Sequence, residues 1–365
     1  MRAMVERAEA ELDRELRISQ RSHKLALLSH HLAVLLSAGV PLAQSLEALC
    51  EQTEDPTLAQ ALESITRRVM NGHRLSHALT YFPGIFPPIF SGLVAVGENT
   101  GALVEAIARL SEVLEKEDKL NQKLSSALSY PVFILALTGG LTMVMFRFVL
   151  PTFVELFNGV GGTLPLPTQI VLGITKLVGT LWFWLVAAAL VYGTQRLLRE
   201  LWAQPERRLV MFRLMLAVPL AGDMLKYATL ARFCWVMQLT LRTGLDLMRC
   251  LQLAAGASNS PLLVHDLPRA QATVRAGETL SDHLGHHPKI YPNLLRQFVK
   301  LGEEATEFSS AFGHAAAWFE EEVEVRIEMF KAALEPILMV TVALVVGGIV
   351  LSIFLPLYGL LDKLA

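Results

Sequence analysis

Imidazole both ligates metals and titrates near neutrality, so the histidines are the first candidates for chemistry in this chain. His30-His31, His73, His77 and His286-His287 stand in pairs or close together. When the chain is shifted against itself by 205 residues, neither half reproduces the other's histidines. That favours solvated helix and loop positions over a ligand set. A His-Glu-x-x-His pair, a Gly-x-Ser-x-Gly elbow and a phosphate loop ending in Gly-Lys-Ser/Thr are all missing from the sequence. The chain therefore has no evident means of fuelling itself with nucleotide. Glu320-Glu321-Glu322 reads as a solvated helix face rather than a cation site. Cys50, Cys234 and Cys250 fit neither a disulfide framework nor a clustered metal spacing, and read as small buried hydrophobes. The expectation is a non-enzyme with no catalytic residue, no metal and no cofactor.

Two acids remain of interest. Glu98 and Glu303 follow Gly97 and Gly302, and each lies just before a long helix expected to begin near Ala102 or Phe308. A carboxylate beside a positive helix end contributes about 0.3–1 kcal/mol, which is one account of both residues. The other makes them, with their turns, contact points for a cytoplasmic partner. The same pair of accounts applies to Gly39 and Gly244, which suit a left-handed helix end, and to Pro41, which can open the next helix.

The elements that carry these residues follow from composition and pattern. Of 365 residues, 53% are hydrophobic and only 18% charged, with a mean hydropathy of +0.43. A soluble domain carries about 25% charged residues, so a membrane protein with substantial soluble parts is expected. Thirty-two basic against 34 acidic residues advertise no polyanion partner, and no direct nucleic-acid binding is expected. Three stretches approach the roughly 20 apolar residues that a bilayer requires. They give spans at 129–153, 176–196 and 334–361. Lys116, Lys119 and Lys123 precede the first span, and Arg196, Arg199, Arg207, Arg208 and Arg213 follow the second. The intervening loop, 154–175, has Glu155 and no Lys or Arg. The basic residues place the N-terminus and the middle of the chain in the cytoplasm, and the loop and C-terminus outside. Arg147, near the outer end of the first span, reads as snorkelling to the interface. Residues 1–24 alternate Arg with Glu and Asp, so a cleaved signal peptide is not expected.

A constant offset of 205 residues lays one half of the chain on the other without a gap. Gly39 meets Gly244, Gly72 meets Gly277, and Leu75-Ser76 meets Leu280-Ser281. Pro83 meets Pro288, Gly97-Glu98 meets Gly302-Glu303, Pro131 meets Pro336, and Leu150-Pro151 meets Leu355-Pro356. Leu25, Leu28, Leu32 and Leu36 form one helical stripe, repeated by Leu230, Phe233, Met237 and Leu241. Hairpin signals are lacking. The expected architecture is all-α, with two repeated cytoplasmic helical bundles at 25–128 and 230–333. A charged segment, 1–24, precedes the first, and a linker, 197–229, joins the return span to the second. One outward span per repeat requires a returning span between them, which explains the unrepeated segment at 176–196.

Read in order, these motifs resemble the inner-membrane platform proteins of type IV pilus and type II secretion machines, the general secretion pathway protein F family. Leu32-Ala33-Val34-Leu35-Leu36-Ser37-Ala38-Gly39-Val40-Pro41-Leu42 resembles that family's L-A-x-L-L-x-A-G-V-P-L, and Gly97-Glu98-Asn99-Thr100-Gly101 its G-E-x-[ST]-G turn. Ala127-Leu128-Ser129-Tyr130-Pro131 and Leu334-Glu335-Pro336 resemble the starts of its first and last spans, and Leu164-Pro165-Leu166-Pro167-Thr168 its outer loop. Two departures stand out: the family's longer N-terminal segment is largely missing, and Thr306 replaces the turn glycine of the second repeat. The resemblance implies a multi-pass protein of the bacterial inner membrane. Its implied partners are a cytoplasmic hexameric ATPase, a pilin or pseudopilin, other inner-membrane components, the lipid bilayer and further copies of itself. The retained turn makes the first repeat the expected stronger ATPase contact. The runner-up is a secondary transporter with parallel repeats, which would need polar or broken helices near mid-membrane.

Overall fold

Leu25, Leu28, Leu32 and Leu36 turn one apolar stripe inward along the helix at 23–37 (α1), and none is more than 8% exposed. The computed structural model describes residues 23–145 and 205–364, with isolated positions 148, 173, 185, 189, 190, 192–194 and 196. After α1, Gly39 at φ +82 lets its N–H reach the Leu36 carbonyl at 3.0 Å, while the Val40 N–H reaches Leu35 at 3.0 Å. This left-handed closure satisfies carbonyls that a helix end leaves open. Pro41 then precedes α2 (Leu42–Gln52). Asp55 caps α3 (Pro56–Met70) by accepting the Thr57 and Leu58 N–H groups, with Pro56 at the first helical position. The Lys24 ammonium, 2.7 Å from Asp55, holds that carboxyl below its ordinary value, with partial burial opposing it. α4 (Leu75–Leu79), α5 (Pro88–Thr100) and α6 (Leu103–Val144) complete the first series.

The second series begins with α7 (Pro205–Leu216) and α8 (Ala221–Arg242). It continues with α9 (Leu247–Ala257), α10 (Pro261–Arg275), α11 (Leu280–His286), α12 (Asn293–Ala305) and α13 (Phe308–Leu364). α2 and α9 are each 11 residues long, α3 and α10 15, and α5 and α12 13. Their starts are separated by the same 205 residues found in the sequence. The linker at 197–229 is helical wherever it is described, apart from the short corner between α7 and α8. Phe212, only 3% exposed, anchors α7 there. No strand occurs among the described residues, and the fold is all-α.

Contacts divide the chain into two units, the first containing the described residues 23–124 and 212–326. Both helical series thus share one compact unit rather than standing as separate bodies. Its core includes the fully buried Phe90, Phe312, Phe319, Leu32, Leu46 and Ile65. Lys116 meets Glu320 at 3.3 Å and Lys123 pairs with Glu324, joining the charged stretches of α6 and α13 within this unit. Arg232 donates from Nη2 to Asn121 Oδ1 at 2.8 Å, with Glu117 at 3.9 Å. Burial pushes the Glu117 carboxyl up even though Arg232 acts in the opposite direction. Cys234 and Cys250 are buried and Cys50 is half-buried; all three are free thiols.

The second unit contains the described parts of 125–211 and 327–365. Here α6 and α13 are long and apolar enough to cross a membrane. Val132, Phe133, Leu141, Met339 and Leu344 are each at least 59% exposed, whereas a core helix would bury such side chains. Pro131 lies inside α6, and Pro336 and Pro356 inside α13, where each removes a backbone donor. Tyr130 and Glu335 beside them are exposed. Pro151, Arg147, most of the loop at 154–175 and most of the expected span at 176–196 lie outside the described residues.

Candidate functional site

The turns that end α5 and α12 hold the residues with the clearest recurring geometry. Gly97 sits against α6 so closely that an added Cβ would lie 2.7 Å from Ala106 Cβ and 2.9 Å from Leu103 Cα. Gly302 repeats this against α13, with Ala311 Cβ at 2.6 Å. The next residue in each case is the glutamate. Glu98 accepts the Leu75 N–H at 2.5 Å and the Ser76 N–H at 3.2 Å, and also the Ser76 hydroxyl. Glu303 accepts the Leu280 N–H at 2.7 Å and the Ser281 N–H at 3.2 Å.

These carboxylates are helix caps, but not of the helices that follow them in sequence. Glu98 caps α4 and Glu303 caps α11, each reaching back 22–23 residues. The reason is local. Arg74, at the N-cap of α4, makes no side-chain capping bond and donates instead to Asn99 Oδ1 at 2.8 Å. The open N–H groups of α4 therefore take their acceptor from α5. In the second series Thr279 also caps α11, accepting the Asp282 N–H at 3.1 Å. The glutamates point inward at their own fold, and both oxygens of Glu98 are occupied.

The turn after each glutamate closes in the left-handed region, Gly101 at φ +73 and Thr306 at φ +59. Thr306 thus reproduces the turn that its lack of a glycine put in question. Its neighbours enforce it: the Thr306 N–H reaches Glu303 at 3.3 Å and the Glu307 N–H reaches Gly302 at 2.8 Å. A β-branched residue is strained there, by about 1–2 kcal/mol relative to glycine. Thr306→Gly is expected to stabilise the first unit by about 1 kcal/mol and raise its melting midpoint by about 2–4 °C. Gly101→Thr should do the reverse, and differential scanning of the purified chain measures both.

A groove of about 220 Å³ lies beside the first turn, lined by Val96, Gly97, Thr100, Arg109, Arg242 and Thr243. It brings the end of α5 next to the end of α8, one residue before Gly244, which adopts φ +76. Gly39 and Pro41 belong to the separate α1–α2 turn.

The histidines are not uniformly solvated. His30 Nδ1 is 2.8 Å from Glu115 and His23 Nδ1 2.8 Å from Asp118, both at exposed or half-exposed positions. His287 instead joins the buried His283 and Asp266, a cluster the sequence pattern did not reveal. His283 and His287 stand four residues apart at the end of α11, but Asp266 comes from α10, so the spacing of the histidines alone does not announce the cluster. The available signal was Asp266 and Tyr291 at positions filled by Ala61 and Phe86 in the other repeat. Within the acid run, Glu320 pairs with Lys116 and Glu322 with Arg326 at 3.2 Å.

Comparison with known proteins gives a concordant result. A family model described as type II secretion system (T2SS), protein F matches residues 28–151 and again residues 233–356. The type IV pilus assembly protein PilC of Thermus thermophilus is 30% identical over 343 residues, covering 93% of this chain and 83% of its own length. The type II secretion system protein F of Xanthomonas campestris pv. campestris is 30% identical over 345 residues, covering 93% and 83%. The type IV pilus assembly protein TapC of Aeromonas hydrophila is 29% identical, covering 93% and 81%.

Proposed function

The chain belongs to the type II secretion system protein F family, and on that premise we propose that it is a non-enzymatic assembly platform in a bacterial inner membrane. It serves a type IV pilus or a type II secretion machine, the two settings named for its relatives. The observation that carries the reading is the twofold match of one family model over both helical series, each ending in a charged helix that becomes apolar. In this proposal the two cytoplasmic bundles dock a hexameric ATPase. Three spans, with the N-terminus inside and the C-terminus outside, receive pilin or pseudopilin helices from the bilayer. Coupling is mechanical: motion of the ATPase turns or shifts the platform, which self-associates and moves subunits toward the growing filament. Exposed apolar side chains on α6 and α13 suit such lateral contacts, since a pilin helix can replace lipid against them.

The test is photocrosslinking in cells that assemble the filament. A photoreactive residue at Phe133, 63% exposed, is expected to capture pilin or pseudopilin. One at Val325, 46% exposed, is expected to capture the ATPase or another copy of the chain. Adducts with lipid alone at Phe133 would reject subunit handling by this helix.

A further inference from the structure

We propose that the second helical series carries a zinc-class divalent metal site formed by Asp266, His283 and His287. His283 and His287 are four residues apart at the end of α11, a spacing that turns two imidazoles to one side. Asp266 approaches from α10. His283 Nε2 lies 2.7 Å from Asp266 Oδ2, and His287 Nε2 lies 3.8 Å from Oδ1. All three donor atoms fall within 4.8 Å of one another. Tetrahedral zinc with bonds of about 2.0–2.1 Å requires donors roughly 3.3–3.5 Å apart, so modest side-chain rotation completes the site.

Two observations point to a ligand rather than to ordinary packing. The first is the unmet acceptor. Asp266 is 1% exposed, yet its Oδ1 has no hydrogen-bond partner, while Oδ2 accepts from Tyr291 at 2.9 Å and faces His283. A buried carboxylate oxygen left open is costly, and a cation between Oδ1 and His287 removes that cost. The second is the other repeat. The positions equivalent to Asp266, His283, His287 and Tyr291 are Ala61, Ala78, Phe82 and Phe86. Three of these, Ala61, Ala78 and Phe86, are at most 2% exposed, so the same packing is achieved with apolar side chains alone. The fold therefore does not require a polar cluster at this point.

The surrounding groups fit second roles around a metal. Thr273 Oγ1 lies 3.4 Å from His283 Nδ1, which orients the ring with Nε2 toward the site. The Tyr291 hydroxyl donates to Asp266 Oδ2 at 2.9 Å, which orients the carboxylate toward the site. The His287 side chain is 31% exposed, which leaves a route for the ion and room for water in the fourth position. Two nitrogens and one oxygen suit zinc rather than calcium or magnesium, which favour all-oxygen shells. The bound ion would tie α10 to α11, the helix that Glu303 caps.

The test uses the full chain in lipid nanodiscs, freed of affinity tags and stripped with a chelator. Titration with zinc chloride against a chromophoric competitor is expected to give about one tight site per chain. His287→Ala should weaken that site more than 10–100-fold, beyond the range seen for groups that only orient ligands. Because His287 is partly exposed, the metal-free variant should melt like the metal-free wild type. Zinc should then raise the wild-type midpoint and leave that of the variant unchanged. Cobalt in place of zinc should give the intense visible bands of a tetrahedral site. Absence of binding at tens of micromolar zinc, or equal binding by His287→Ala, overturns the proposal.

Discussion

Glu98→Ala is expected to lower the stability of the first unit by about 2–3 kcal/mol, and Glu303→Ala by a similar amount. Each substitution strips a charged acceptor from two backbone N–H groups at the start of a short helix, and a hydrogen bond to a charged group is worth about 1.5–3 kcal/mol. For Glu98 the Ser76 hydroxyl is lost as well. Glu303 has a helper in Thr279, which continues to cap α11, so its loss should fall at the lower end. Replacement by glutamine keeps an acceptor and should recover about half of the effect. Hydrogen exchange resolved to single amides measures this directly. The Leu75 and Ser76 amides should lose protection in Glu98→Ala, and Leu280 and Ser281 in Glu303→Ala. Abundance of the chain should fall in both variants, and capture of the ATPase proposed above should fall only in proportion to it. If Glu98→Ala leaves abundance and exchange untouched and abolishes ATPase capture, the glutamate belongs to an interface and the capping account fails.

Much of this arrangement is legible in the sequence, and the rest fails for a common reason. The leucine stripe of α1 and the glycines at left-handed ends, such as Gly39, Gly101 and Gly244, are local signals, set by a 3.6-residue period and by one backbone angle. The repeat extends them to the second half, because helix starts keep the same offset. What escaped depends on partners distant in the chain. Glu98 lies beside the positive end of α6 in sequence but serves α4, a choice made by how α5 folds back over Arg74. Thr306 shows the limit of reading backbone angle from residue type, since neighbouring hydrogen bonds impose the left-handed turn on a β-branched side chain. Asp266, His283 and Tyr291 likewise lie on separate elements, and beside the four-residue step from His283 to His287 it is their apolar counterparts in the first half that distinguish them.

The tightest constraint shared by both series is the glycine before each glutamate. Gly97→Ala should destabilise the first unit, although alanine alone would favour the helix by up to about 1 kcal/mol. The new Cβ would stand 2.7 Å from Ala106 Cβ and 2.9 Å from Leu103 Cα, well inside the roughly 3.5–4.0 Å of ordinary carbon contact. Overpacking of that kind costs about 1–3 kcal/mol, and with backbone among the clashing atoms the upper end applies, so the clash outweighs the helix propensity. A net loss of about 2 kcal/mol is expected. Gly302→Ala meets Ala311 Cβ at 2.6 Å, but its nearest backbone atom, Phe308 Cα, is 3.4 Å away. The two sites should therefore respond differently to a second substitution. Ala311→Gly removes the only severe contact of Gly302→Ala, so that double variant should regain most of its stability, less the helix cost of the new glycine. Ala106→Gly leaves the Leu103 backbone in the way of Gly97→Ala, and rescue there should be less than half. Denaturant unfolding of the four single and two double variants gives both coupling energies. Equal rescue at the two sites, or none at either, would show that α5 and α12 relieve the crowding by moving away from the long helices rather than by side-chain exchange.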